Sequence, residues 1–335
     1  MTELREDYEV LVIGGGAAGL NGALMLARAR RSVLVVDGGE PRNAPADGVH
    51  ALLGHDGVPP AELLARGRDE VRGYGGHLTE GRVEAVSRDG DGFEVTLADG
   101  RRVRAGQLLV ATGLVDELPE VPGLRERWGR DLVHCPYCHG WEVRDRPIGV
   151  IGSGPMSVHQ TLLFRQWSND VVYLRHTAPP LTDEQAEQLA ARGVPVVEGE
   201  VAAVEVAGDR VTGVRLRDGR TVDREVLTVA PRMVARAGFL AALGLNPQPH
   251  PSGMGEYVPA DESGRTEVPG VWVAGNVTDL SAQVGAAAAA GARTAAMINA
   301  DLVQTETRRA VEARRAARES GRPRIPPNLT ILPLG

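Results

Sequence analysis

An α/β chain built from two parallel-sheet domains is what three features of this sequence predict. Tyr8 to Ile13 is a short apolar run that ends in Gly14-Gly15-Gly16-Ala17-Ala18-Gly19, followed by a helical pattern through Leu20, Leu24, Met25 and Leu26. A weaker copy of that layout starts at Arg146 to Ile151 and turns at Gly152-Ser153-Gly154. Late in the chain, Val271-Trp272-Val273-Ala274-Gly275 is another strand ending in glycine, ahead of a small-residue helix from about Gln283. Strands that alternate with helices form βαβ units around a parallel sheet.

In the first unit Ser32 to Asp37 is the second strand, and Asp37 stands where a dinucleotide-binding fingerprint places its acid, roughly 20 residues beyond the glycines. Gly14 permits the tight turn, Gly16 lets the backbone approach a pyrophosphate, and Gly19 lets helix pack on strand. The phosphates then sit on the helix N-terminus, and the Asp37 carboxylate accepts from a ribose diol. The second unit is imperfect. Its helix is expected from about Pro155 to Trp167 and its next strand from Asp170 to Leu174, but Ser157 replaces the third glycine and Arg175-His176-Thr177-Ala178-Pro179-Pro180 supplies no acid. Between the units lie expected strands at Gly81 to Val86, Phe93 to Leu97, Arg101 to Val103 and Leu108 to Ala111, the last running into Thr112-Gly113.

His134-Cys135-Pro136-Tyr137-Cys138-His139-Gly140 holds the only two cysteines of the 335 residues. A Cys-x-x-Cys pair at a helix start shuttles between dithiol and disulfide, because the positive helix end lowers the thiol pKa and favours the thiolate. Tetrahedral zinc needs about four ligands, and only His134 and His139 flank the pair, so no metal is expected. As a purely structural crosslink the pair is poor, since so short a spacer removes little chain entropy. Redox chemistry is the reading these residues favour.

Composition narrows the classes. A hydrophobic content of 42% suits about two domains. Net charge −7 and a pI near 5.7 argue against nucleic acid as partner. Met1 to Glu9 is polar and acid-rich, with no export pattern, and the Gly285 to Ala292 tract is too short to span a bilayer, so a cytoplasmic protein without a membrane partner is expected. All 37 basic residues are arginine, which excludes a P-loop or Schiff-base lysine. Beyond Arg308 the tail is arginine-rich, then proline-rich from Pro323, and reads as a solvated helix end and a surface strap, with an anionic-partner patch as the alternative.

Gly14-x-Gly16-x-x-Gly19, Ala111-Thr112-Gly113, Cys135-x-x-Cys138, the Gly152 turn and Ala274-Gly275-Asn276-Val277-Thr278-Asp279 together resemble, in order and spacing, the low-molecular-weight thioredoxin reductases, as far as about Asn299. The resemblance implies two Rossmann-like, three-layer ββα domains, the second inserted into the first. Residues 1–117 and 244–335 would bind FAD, and residues 118–243 would be an NAD(P)-binding-like domain carrying the Cys pair. By the same resemblance Gly14, Gly16, Ala17, Ala18 and Gly19 would hold the FAD pyrophosphate and Asp37 the adenosine ribose. Gly38, Asn43 and Val83 join that set, and Ala111, Thr112 and Gly113 would line the crossover beside the cofactor. Gly275 and Asn276 would meet the ribityl chain and pyrophosphate, and the helix begun by Gln283 and Val284 would aim at the flavin edge where reduction builds negative charge. The family has Asp where Asn276 stands. A homodimer is also implied.

Two departures resemble one branch of that family. NADPH-dependent members grip the 2′-phosphate with a His-Arg-Arg-x-x-x-Arg cluster, where this chain has Arg175, His176 and then prolines. The Asp that follows the second cysteine is His139 here. The gliotoxin- and holomycin-type dithiol oxidases keep FAD and the Cys pair, lose the nicotinamide grip and pass electrons to dioxygen. That branch implies a small-molecule dithiol substrate, O2 as acceptor, Cys135 as the attacked sulfur, Cys138 nearer the flavin and His139 as the base. The alternatives are an NADPH-dependent reductase of thioredoxin and a non-catalytic FAD-binding redox sensor. His50 and His55 are further residues that could lie near the flavin.

Overall fold

The computed structural model describes residues 5–319. β1 (Asp7–Ile13) is almost wholly buried, as a β-branched run between covered faces should be. The glycine turn leads into α1 (Ala17–Arg28), then β2 (Val33–Asp37), α2 (Pro60–Gly73) and β3 (His77–Glu80). A meander follows: β4 (Val83–Asp89), β5 (Gly92–Leu97) and β6 (Arg102–Val110). β7 (Leu114–Glu117) then leaves this domain.

The second domain contains α3 (Leu124–Arg127), β8 (Leu132–Val133), α4 (Pro136–His139), β9 (Ile148–Ile151), α5 (Ser157–Phe164), β10 (Val171–Leu174), α6 (Asp183–Ala191) and β11 (Val196–Val197). An antiparallel trio, β12 (Val201–Ala207), β13 (Arg210–Leu216) and β14 (Thr221–Asp223), precedes β15 (Val226–Val229), which pairs with β9 and β8. β16 (Arg232–Ala235) returns antiparallel to β7, with Leu114 opposite Ala235, and β17 (Gln248–Pro249) and β18 (Gly255–Tyr257) extend that ribbon. β19 (Val271–Val273) and α7 (Val284–Glu319) complete the first domain.

The first sheet is seven-stranded, β3-β2-β1-β6 and then the meander, with β19 also on β6. Its strand alternation builds three layers. Val10, Val12, Val33 and Val35 face α1 and α7, whereas Leu11, Ile13, Leu34 and Val36 face the β4–β5 side. The second sheet, β11-β10-β9-β15-β8, is parallel, with α5 and α6 on one face and the β12–β14 trio on the other. The Gly14 turn follows the C-terminal end of β1 and the Gly152 turn that of β9, the edge at which ligands of parallel strands bind.

Several boundaries differ from expectation. Arg101 to Val103 and Leu108 to Ala111 belong to one strand, β6, whose first half pairs with β5 and second half with β19. β3 is a mostly half-buried edge with no apolar run to mark it. α5 is shorter than the Pro155 to Trp167 pattern, because Pro155 precedes the helical turns and residues 165–167 close it. The chain is back in the first core before residue 244: Ala235, Ala237 and Leu240 pack with Leu11 and Val110. Among the described residues no helix is long and apolar enough to cross a membrane. The Arg308 to Arg318 stretch is an exposed end of α7, and the strap expected from Pro323 lies outside the described residues.

Candidate active site

One cavity of about 1440 Å³ joins the first glycine turn to the Cys pair. A small-molecule pocket occupies roughly 300–1,000 Å³, so this one has room for an extended cofactor and a second molecule. At its first end Gly14 takes φ +109°, and a Cβ there would lie 2.4 Å from the Ala111 carbonyl oxygen. A Cβ on Gly19 would strike the Gly14 carbonyl at 1.9 Å, so Gly19 fixes the helix against the turn from beneath and is absent from the cavity wall. At Gly16 a Cβ would meet nothing within 4 Å. No side chain caps α1 there, so its first N–H groups are free to meet an anion. Asp37 Oδ1 accepts from Gly15 N at 3.3 Å and Gly39 N at 3.1 Å, which fixes the carboxylate at the rim.

Ala17, Ala18, Asp37, Gly38, Asn43, Val83, Ala111, Thr112 and Gly113 line the same cavity. So do Gly275, Asn276, Gln283 and Val284. Thr112 Oγ1 donates to the Arg236 carbonyl at 2.7 Å, joining the outgoing and returning strands. Asn276 Nδ2 donates to the carbonyls of Asp279 and Ala282, both at 2.9 Å, and braces the loop that launches α7. The expectation gave Asn276 only a cofactor contact. Its amide donor is used by the protein, and an aspartate there would set a carboxylate against two carbonyls.

At the other end Cys135 is the N-cap of α4, Pro136 its first residue, and a disulfide joins Cys135 to Cys138 with Cα atoms 5.2 Å apart. Cys135 Sγ accepts from Cys138 N at 3.2 Å. α4 is seated on Trp167: Gly140 has room for no side chain against that ring, and Tyr137 meets it edge-on at 5.8 Å. Ahead of the pair, Gln160 Nε2 donates to the His134 carbonyl at 2.6 Å, and His134 Nδ1 lies 3.1 Å from the Val229 carbonyl. Burial holds the His134 imidazole below its ordinary pKa.

His139 lines the cavity beside the disulfide. Burial lowers its pKa, with His50 adding to the effect and Glu142 and Asp47 opposing it. Its Nδ1 is buried and has no hydrogen-bond partner among the described residues. His50 lines the same wall, 3.5 Å from Glu142 Oε1 and 3.5 Å from Asp56 Oδ1, while His55 is exposed and outside it. Sequence reasoning missed Arg42 and Asp116. Two 2.7 Å hydrogen bonds join them, with the Asp116 side chain only 6% exposed, and they tie the loop after β2 to the outgoing strand.

A family model described as pyridine nucleotide-disulphide oxidoreductase matches residues 8–296. The chain belongs to that family. It is an enzyme, a disulfide oxidoreductase of the thioredoxin reductase type, and its architecture is theirs. It is similar to thioredoxin reductase tcpT of Claviceps purpurea, 32% identical over 279 residues that span 80% of this chain and 86% of that protein. The crystal structure of HlmI superposes with a TM-score of 0.88 at 46% identity, covering 95% of this chain and 99% of that one. An oxidoreductase from Agrobacterium tumefaciens follows with a TM-score of 0.83 at 36% identity, covering 89% and 99%. In this oxidoreductase the disulfide and the glycine turn line one cavity.

Proposed function

We propose that this oxidoreductase oxidises a small-molecule dithiol to an intramolecular disulfide through Cys135 and Cys138, with FAD as cofactor and O2 as electron acceptor. The observation that carries the reading is a contrast between the two glycine turns. The first opens onto the disulfide cavity. At the second, Ser157 Oγ accepts from Ser153 N at 3.1 Å and Gly154 N at 3.2 Å, using the donors a pyrophosphate would need. Arg175, the remaining cation for a 2′-phosphate, is ion-paired with Glu198 and donates to the Ala178 carbonyl at 3.1 Å. His176 is buried, its Nδ1 accepting from Val201 N at 3.0 Å.

The first turn fits FAD. Gly14, Gly16, Ala17 and Ala18 would take the pyrophosphate on the open helix end, with Gly19 packed beneath. Asp37 and Gly38 would take the adenosine ribose, with Asn43 and Val83 on the same wall. Ala111, Thr112, Gly113, Gly275, Asn276, Gln283 and Val284 would line the remaining length. Bound there, FAD would supply an acceptor for the electron pair of the reduced Cys pair and a route for that pair to dioxygen.

The protein residues do the thiol chemistry. A substrate thiolate attacks Cys135 Sγ, the Cys135–Cys138 bond breaks, and Cys138 departs as a thiolate, which the start of α4 favours. His139 takes the proton of the second substrate thiol. The resulting thiolate attacks the substrate sulfur of the mixed disulfide, expels Cys135 and releases the cyclic disulfide. The substrate loses two electrons and the Cys pair gains them.

A second reading, NADPH-dependent reduction of thioredoxin, draws on the reductase names of the relatives and on Tyr137 and Trp141, which are 58% and 65% exposed beside the pair and could receive a protein partner. Oxygen uptake with a dithiol, set against anaerobic bleaching of the flavin by stoichiometric NADPH, separates the two. Bleaching without dithiol-dependent uptake would reverse the proposal.

A further inference from the structure

A second cavity, of about 280 Å³, lies at the closed glycine turn. His134, Pro136, Met233 and Met254 line both cavities, so the two share a wall that includes the neighbours of Cys135. The smaller one cannot take a dinucleotide, since the turn's donors are spent on Ser157 and Pro155 abuts Gly253. Met156 and Leu163 of the α5 segment line it, together with Pro136 and Pro231. Arg232, the cation at its edge, is neutralised by Glu117 and Glu256. Gln160 is 5% exposed and belongs to the same wall; its amide donates to His134 and Val229, and its Oε1 has no partner among the described residues. Apolar groups dominate the wall, with His159 the further ionisable side chain on it, and such a lining suits an apolar group.

We propose that this cavity is the specificity subsite for an apolar substituent of the dithiol. The assignment rests on the dithiol reading above and names its substrate class: a dithiol bearing a bulky apolar arm. The turn that no longer serves a nucleotide serves selectivity.

The probes are two cyclic disulfides, oxidised dithiothreitol and a benzyl-substituted 1,2-dithiane, titrated calorimetrically into the FAD-loaded protein. The benzyl compound is expected to bind at least ~10-fold more tightly, the scale on which an apolar pocket discriminates. Met156→Trp and Leu163→Trp, which fill the cavity, should shrink that ratio toward one. A ratio near one in the wild-type protein, or a ratio that survives both substitutions, overturns the subsite. Oxygen uptake with the two reduced dithiols is followed in parallel. No uptake with either removes the oxidase reading, while the binding ratio still decides the cavity.

Discussion

At the scale of single residues, His139 is the group on which turnover should depend. Burial keeps its imidazole neutral to a lower pH than the ordinary value of 6.5, and the neutral form is the one that accepts a proton. The acid limb of the kcat profile should therefore fall below pH 6.5. His139→Ala should lower kcat ~10²-fold or more and abolish that limb; an unchanged profile would make the imidazole a bystander. The cysteines should also separate. Cys135→Ser leaves a Cys138 thiolate beside oxidised FAD, expected to give a long-wavelength charge-transfer absorbance that Cys138→Ser lacks. Equal spectra would mean that neither sulfur is nearer the flavin. The cysteines were legible because they are the only two in the chain, whereas the sequence offered His50 and His55 alike, and the fold set only His50 on the cavity wall, against Glu142.

At the scale of elements, the first glycine turn contains positions that fail differently. Gly16→Val projects into open space, so it should leave the melting temperature of the apoprotein within a few degrees and abolish FAD retention. Full flavin content in that variant would mean the cofactor lies elsewhere. Gly14→Ala meets Ala111 and a positive φ, and should destabilise the fold itself by about 1–3 kcal/mol, read in a urea melt. In the loop before α7, Asn276→Asp loses two amide hydrogen bonds, which costs about 1–3 kcal/mol. Here the sequence spoke clearly for the turn, because glycine spacing is a backbone requirement. It did not reveal the Asn276 brace, because Asp279 and Ala282 come within reach only after the loop has turned back.

At the scale of the molecule, His134, His139 and His176 are all held below their ordinary pKa by burial. The unfolded chain therefore binds more protons once the pH falls below about 6.5, and the native state loses stability on that side, by at most ~1.4 kcal/mol per histidine per pH unit. Melting at pH 5.5 should be clearly lower than at pH 7.5, and the His139→Ala variant should lose part of that dependence. A flat melting curve across this window would contradict the burial of these rings. The closed second turn makes its own demand: micromolar NADPH should reduce the flavin far more slowly than milliseconds in stopped flow. Fast reduction would restore the reductase reading.

Local and repetitive features were determined by the sequence alone: the α/β class, the first strand–turn–helix and the redox pair. Each depends on neighbours a few positions apart, through glycine sterics, β-branched runs and the helix end that favours a thiolate. What only the tertiary structure decided is who shares a cavity with whom. Cys135 shares a cavity with the Gly14 turn because β7 and β16 cross between the domains, and Arg42 reaches Asp116 across that crossing. The closing of the second turn was half-visible, since Ser157 stood in the glycine position, but its hydroxyl had to be folded back onto Ser153 N and Gly154 N before the donors could be seen as spent. Such contacts depend on distance in space, which a one-dimensional pattern does not encode.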